Sequence, residues 1–378
     1  MWIKHNRRLL GKVLLLLVIL VIGGVTVSGC YGRSQPRGWS GAIIADDTLF
    51  VGSLDGRLVA LNKSDGSRLW PVDSTLGTSE SKAVIYGTPA VEGDLVYVGG
   101  YNGRVYAVSS STGALRWVYP REGNLEPIVG GVAVSQGKVY FGCSGGKVYA
   151  LDAITGDRVW LPFQTGDKIW STPVIDGQTI YISSFDNKLY ALDAIDGSKK
   201  WEFDEAKGAI ASTPLVYENT VYIGSFDRYL YAVDATDGSL RWRSEVEAGS
   251  WYWAKPKAYN NVIYAPCLDG KVYILDAKSG REVAGAVELG SPISSSPVVV
   301  DGKVIIASRE GRVYSLDTSN HQLRLLFDVG DDGEEIYAPL CASDGVVYIH
   351  AQSSKQDTLY ALNAQTGVTL WRLSLSSE

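Results

Sequence analysis

Few residues of this chain are able to do covalent or metal chemistry, and their spacing excludes the familiar arrangements. The three histidines, His5, His321 and His350, fall in unrelated segments. Cys143, Cys267 and Cys341 lie far apart, each inside a strand-like apolar run, and no two have metal-ligand spacing. They read as small core residues, with a disulfide in an oxidising compartment as the alternative. No Ser-His-Asp, Cys-His or phosphate-loop pattern occurs. Asp-Gly pairs recur, Asp55-Gly56 and Asp269-Gly270 among them. Calcium needs several oxygen ligands at alternating positions, so one Asp per pair reads as turn chemistry. The acidic run at residues 331–335 reads as a solvated loop. No catalytic residue, cofactor or metal ligand is therefore assigned.

Cys30 differs because of what precedes it. A basic stretch (Lys4, Arg7, Arg8, Lys12) leads into the apolar run 13–22 and then into Val27-Ser28-Gly29-Cys30. A basic flank that stays in the cytoplasm and an apolar run that enters the export machinery describe a signal peptide. The last four residues resemble a bacterial lipobox, which implies thioether lipidation of Cys30 and cleavage before it. The expected organisation is a signal peptide at 1–29, a lipidated Cys and polar tether at 30–38, and one domain at 39–378. An uncleaved signal anchor is the alternative. The expected location is the cell envelope, lipid-anchored on the outer face of the plasma membrane or the periplasmic face of an outer membrane. The chain has 35 basic and 41 acidic residues, and the four basic ones above have no acidic neighbour before residue 30. The remainder thus carries a net charge of −10. An acidic body excludes nucleic acid as the natural partner, because phosphate binding needs clustered Lys and Arg.

The elements that position everything else repeat. A segment rich in Tyr, Gly, Asp and Trp recurs eight times, with Val59, Tyr106, Tyr149, Tyr190, Tyr231, Tyr273, Tyr314 and Tyr360 at one position of the pattern. Each unit reads as four short strands joined by Asp-Gly, Asn-Gly or Thr-Gly turns, the hairpin signal. A lone four-stranded meander cannot cover both its faces, whereas a radial stack can. The fold class is all-β: an eight-bladed β-propeller of four-stranded antiparallel blades. The units are in phase at both ends, so the ring is expected to close by packing of blade 8 on blade 1. Trp70, Trp117, Trp160, Trp201, Trp242 and Trp371 share one position, and their periodicity marks them as docking residues between blades; blades 6 and 7 place Val283 and Leu325 there. Function is left to what breaks the period. Trp39, Tyr86, Trp170, Trp253 and Tyr337 each stand two or three residues before the Pro, or its equivalent, of a first strand, and Trp251-Tyr252-Trp253 makes the set densest at blade 6. First strands line a propeller's channel, so Trp39, Tyr86, Trp170, Trp251, Trp253 and Tyr337 are expected to ring one mouth. They are a partner-binding rim or a local plug.

Residues 150–160, Ala-x-Asp-x-x-Thr-Gly-x-x-x-Trp, resemble the tryptophan-docking motif of the PQQ-like (quinoprotein-type) repeat family, and variants recur at 107–117, 191–201, 232–242 and 361–371. The family contains dehydrogenases that hold PQQ and calcium, and BamB-like lipoproteins of outer-membrane protein assembly. A single propeller and the lipobox resemble the second branch. The absence of adjacent cysteines separates the chain from the first. The resemblance implies a non-enzymatic, membrane-anchored scaffold that binds a protein partner, one propeller per chain within a complex. The alternatives are a PQQ- or other ligand-binding dehydrogenase or sensor, and a saccharide-binding surface protein.

Overall fold

The structure is a computed structural model that describes residues 38–375 apart from 79–80, 330–332 and 355. The expected signal peptide, Cys30 and the expected tether up to residue 37 lie outside the described residues.

Blade 4 shows how each unit folds. Its strands are Val174–Asp176, Thr179–Ser183, Leu189–Asp193 and Lys199–Phe203, paired in sequence order. The middle two are buried on both faces, which suits their run of Ile, Tyr, Leu and Ala. The hairpin between them turns on Asn187 at φ 71°, where blade 1 has Gly56 at φ 80°. Left-handed backbone is what Gly and Asn tolerate and most residues do not.

Eight such four-stranded antiparallel sheets account for the strands of the described residues. Every sheet is built from consecutive strands, so none is completed by exchange from the other end of the chain. The innermost strands, such as Ile43–Ala45, Lys257–Tyr259 and Cys341–Ser343, each contact the inner strands on both sides and form a closed ring.

The recurring Trp docks one blade on the next. The ring of Trp201 covers Gly238, and a Cβ there would stand 2.6 Å from the indole. Gly113, Gly156, Gly197, Gly280 and Gly66 lie in the same way beneath Trp70, Trp117, Trp160, Trp242 and Trp371. Each of these glycines has φ between 70° and 79°. Most of the indoles also donate to a carbonyl of the neighbouring blade, as Trp201 does to Ala235 O at 3.2 Å and Trp242 to Ala277 O at 2.9 Å. A tyrosine on the second strand often donates to the same carbonyl, as Tyr181 and Tyr222 do.

The seam between blades 6 and 7 departs from this pattern. Strand pairing sets Ala284 opposite Ile274, where Ala232 faces Trp242 in blade 5. The docking position is thus Ala284 rather than Val283, whose side chain is exposed. In blade 7 the docking glycine is replaced by His321 at φ 57°, and both His321 Nε2 and Tyr264 Oη are buried without a partner. A small residue on one blade accompanies a bulky one on the other.

Blade 8 meets blade 1 through a mixed apolar core that includes Leu49, Val59 and Leu61 with Tyr348, Leu359 and Leu375. Trp371 Nε1 and Tyr348 Oη both donate to Lys63 O, at 3.1 and 2.9 Å. A buried polar latch lies alongside: His350 Nδ1 contacts Ser40 O at 2.8 Å, its Nε2 contacts an Asp357 oxygen, and the other Asp357 oxygen accepts from Leu54 N at 2.7 Å. Closure by packing, expected from the in-phase repeats, is what the topology delivers.

Candidate functional site

The second-to-third-strand turns and the loops entering each blade share one face. Phe185 N donates to Lys168 O at 3.0 Å, Phe226 N to Ala209 O at 2.9 Å and Leu268 N to Trp251 O at 3.0 Å. The Asp of the turn fixes the loop as well. Asp269 accepts from Gly249 N, Lys271 N and the Tyr273 hydroxyl, at 2.8, 3.0 and 2.8 Å. Asp227 and Asp186 repeat the arrangement with Tyr231 and Tyr190. These carboxylates hold turns and loops together, and burial with the Asp hydrogen bond raises the Tyr273 phenol well above its ordinary range.

On this face the aromatic residues form two clusters. In the first, Trp39 stacks on Tyr337 at 5.4 Å and meets Tyr86 edge-on at 4.6 Å; Tyr86 in turn touches Tyr101 at 5.3 Å. This cluster spans blades 8, 1 and 2. In the second, Trp170 and Trp253 contact each other at 6.1 Å, Trp251 stacks on Phe226 at 4.4 Å, and Phe185 bridges Trp170 and Phe226. That cluster spans blades 4, 5 and 6. Trp170 and Trp253 meet across blade 5 because its equivalent position is Ala211. Blades 3 and 7 carry Val129 and Ser294 there, so the two aromatic walls are interrupted on opposite sides of the ring.

All six aromatic residues singled out by spacing are partly buried. They make two groups of three rather than one ring. Tyr252, between Trp251 and Trp253, belongs to the core instead: it is 1% exposed and packs with Ile263 and Tyr273. The spacing missed Tyr101, Phe185 and Phe226. Their signal was present in the residue between Ser or Gly and Asp or Asn of the second turn, as in Ser-Phe-Asp at 184–186 and 225–227.

Two cations dress these walls. Lys168 Nζ lies 4.6 Å from the ring centres of both Trp170 and Phe185. Arg309 lies 4.7 Å from Tyr337 and donates to its hydroxyl, which donates to Glu335 at 2.6 Å. Burial, then the Glu335 hydrogen bond, push the Tyr337 phenol up to about 12.

The acidic run is not simply a solvated loop. Asp331 and Asp332 lie outside the described residues, but Glu334 is 1% exposed and accepts from Thr358 Oγ1 and Tyr360 Oη, each at 2.7 Å. A buried carboxylate is tolerable when hydrogen-bonded in this way. Cys143 and Cys267 are buried free thiols and Cys341 a partly buried one. Burial raises all three, Cys341 to about 11, so they stay protonated.

Fold and site together define an eight-bladed propeller with docked-tryptophan repeats and an aromatic face. Residues 31–185 and 163–373 match the family model described as outer membrane protein assembly factor BamB. The chain belongs to that family. Among solved structures, BamB from Moraxella catarrhalis is 20% identical with a TM-score of 0.68, over 82% of this chain and 90% of that one. The computationally designed protein Ika8 is 18% identical with a TM-score of 0.72, over 84% and 95%. Both likenesses are of fold. A stretch of 78 residues is 37% identical to the human beta-alanine-activating enzyme, taking in 19% of this chain and 7% of that protein.

Proposed function

We propose that this chain is an envelope-anchored, non-enzymatic scaffold that captures a protein partner on its aromatic face, in the service of outer-membrane protein assembly. Membership of the BamB family supports the setting. The single observation that carries the binding site is the pair of partly buried aromatic walls, with Trp170, Trp251 and Trp253 on one and Trp39, Tyr86 and Tyr337 on the other. Partly exposed Trp and Tyr on rigid elements are what interface hot spots use. Lipidation at Cys30 would hold the face at a membrane surface, and one propeller per chain would act within a larger complex.

The test is capture in the native envelope. Photocrosslinkers placed beside Trp170 and Trp253 should yield a defined protein product. The double variant Trp170→Ala/Trp253→Ala should lose it with little change in the core. Undiminished crosslinking by the double variant would overturn the assignment of this face. A cysteine-free leader variant, Cys30→Ala, should leave the protein unlipidated by mass spectrometry and released from membranes; lipidated Cys30→Ala protein would refute the anchor.

A further inference from the structure

Blade 3 lacks a carboxylate that its neighbours have. In blade 4 the turn residue Asp186 accepts from Lys188 N at 3.0 Å, from the Tyr190 hydroxyl at 2.7 Å and from the entry-loop amide of Gly166 at 2.6 Å. Asp227 and Asp269 do the same in blades 5 and 6. The equivalent residue of blade 3 is Gly145, in the turn Ser144-Gly145-Gly146. Tyr149, four residues on, is present without its acceptor. Its hydroxyl meets no hydrogen-bond partner among the described residues, although the residue is only 5% exposed. The counterparts in other blades are engaged: Tyr106 with Asn102, Tyr314 with Leu289 O and Tyr360 with Glu334. Stacking on Phe141 at 5.0 Å holds the Tyr149 ring in place.

A second carboxylate is missing beside it. In blade 4, Glu202 follows the docking Trp and pairs with Lys188 at 2.7 Å. Blade 3 has Leu161 at that place, 77% exposed, and its outer strand is shortened to Phe163–Gln164. Lys147, the counterpart of Lys188, therefore lacks that partner. Asn124, Glu126, Cys143, Gly145, Lys147 and Tyr149 line one cavity of about 370 Å³. That volume lies toward the small end of the roughly 300–1,000 Å³ of small-molecule sites. The vacant Asp position, the unpaired phenol and the lysine thus share a single space. Burial raises the Tyr149 phenol to about 12, so it keeps the proton that an acceptor would take. Glu126 stands at the loop position of Glu334, two residues before an Ile, but it is exposed and makes no hydrogen bond to Tyr149.

We propose that the blade 3 cavity binds a carboxylate in the place of the absent turn Asp, where it accepts from the Tyr149 hydroxyl and pairs with the Lys147 ammonium. A hydrogen bond to an ionised acceptor is about twice as strong as one to a neutral amide. The small volume suits a short acid or the free C-terminal carboxylate of a peptide. Glu126 opposes any further negative charge at the rim, so the ligand carries one carboxylate. The site stands apart from the two aromatic walls, at the blade where Val129 interrupts them, and needs no protein partner.

Saturation-transfer NMR titration of the full chain with propionate, propionamide and N-acetyl-alanyl-alanine tests it. Each acid that binds should saturate and hold about tenfold more tightly than propionamide. Tyr149→Phe, which keeps the stacked ring, should weaken the acid about tenfold, the loss of one charge-assisted hydrogen bond. Lys147→Met should weaken it too, and Glu126→Gln should strengthen it by removing a like charge. Gly145→Asp supplies the carboxylate within the chain and should abolish binding. The added Cβ would stand 3.0 Å from Cγ of Glu126, an exposed side chain that can move aside. Tighter binding of the dipeptide than of propionate would assign the slot to a peptide terminus, and the reverse to a free acid. The same thermal unfolding midpoint in Tyr149→Phe and the parent would show that the fold is retained. No saturable binding of either acid, equal affinity for acid and propionamide, unchanged affinity in Tyr149→Phe, or undiminished binding by Gly145→Asp would each overturn the proposal.

Discussion

Replacing Asp357 with Ala should open the weakest point of any propeller, the junction of its first and last blades. Asp357 is fully buried; it accepts from Leu54 N at 2.7 Å and pairs with the buried His350. His350 has Ser40 O at Nδ1 and the carboxylate at Nε2, with the Gln352 amide nitrogen also 3.2 Å from Nε2. Beside an ionised carboxylate, a ring protonated on both nitrogens satisfies both acceptors and bridges blades 8 and 1. Burial alone lowers its pKa, but the Asp357 charge and hydrogen bond, then Ser40 O and Glu334, outweigh it and hold the net value above the ordinary 6.5. Removing the carboxylate strands a buried cation and orphans the Leu54 amide. Breaking a buried pair in this way costs about 3–5 kcal/mol. For a domain of this size that is a fall of roughly 6 °C in the thermal midpoint. The sign with pH follows from the raised value. The stability that the pair contributes is complete below the unfolded pKa near 6.5, and it is lost as pH rises through the higher folded one. Urea denaturation of parent and Asp357→Ala at pH 6 and pH 9 measures both effects. The gap between them should be large at pH 6 and narrower at pH 9. A gap under about 0.5 kcal/mol at pH 6, or one that widens with pH, refutes the latch.

Further perturbations test the blade-docking argument. Trp201→Ala should cost about 3–5 kcal/mol in urea denaturation, since it empties the space over Gly238. Gly238→Ala should also destabilise, because its Cβ would stand 2.6 Å from the indole of Trp201 at a backbone φ of 79°. At the seam of blades 6 and 7, Ala284→Trp alone should destabilise against His321. Combined with His321→Gly it should stabilise by about 2 kcal/mol, the value of burying a large apolar side chain. Simple additivity of the two changes in a double-mutant cycle would show that Ala284 and His321 are not facing positions.

Local periodicity made much of this legible. Gly-containing turns, alternating Tyr and Val, and a Trp four residues after a Gly are short-range patterns, and each was readable within one repeat. Contacts that join distant repeats were not. Ser40 and His350 are 310 residues apart, and neither has a neighbour in sequence that announces the other. Trp170 and Trp253 looked like separate positions on a rim, yet they touch because Ala211 lies between them on blade 5. Tyr252 reads like its aromatic neighbours, but the entry loop turns its ring into the core, where it packs with Ile263 and Tyr273. Glu334 sits in an acidic run, and only the approach of Thr358 and Tyr360 makes its burial possible.

The sequence by itself determined the blade, the number of blades and the way the tryptophan-bearing blades dock on the next. Those features need only side-chain alternation, left-handed turns and a repeated Trp-on-Gly contact. The tertiary structure decided what happens when the eighth blade returns to the first and when eight entry loops meet on one face. A circle brings together residues that the chain keeps hundreds of positions apart. The His350–Asp357 latch and the two aromatic walls therefore exist only in the closed ring.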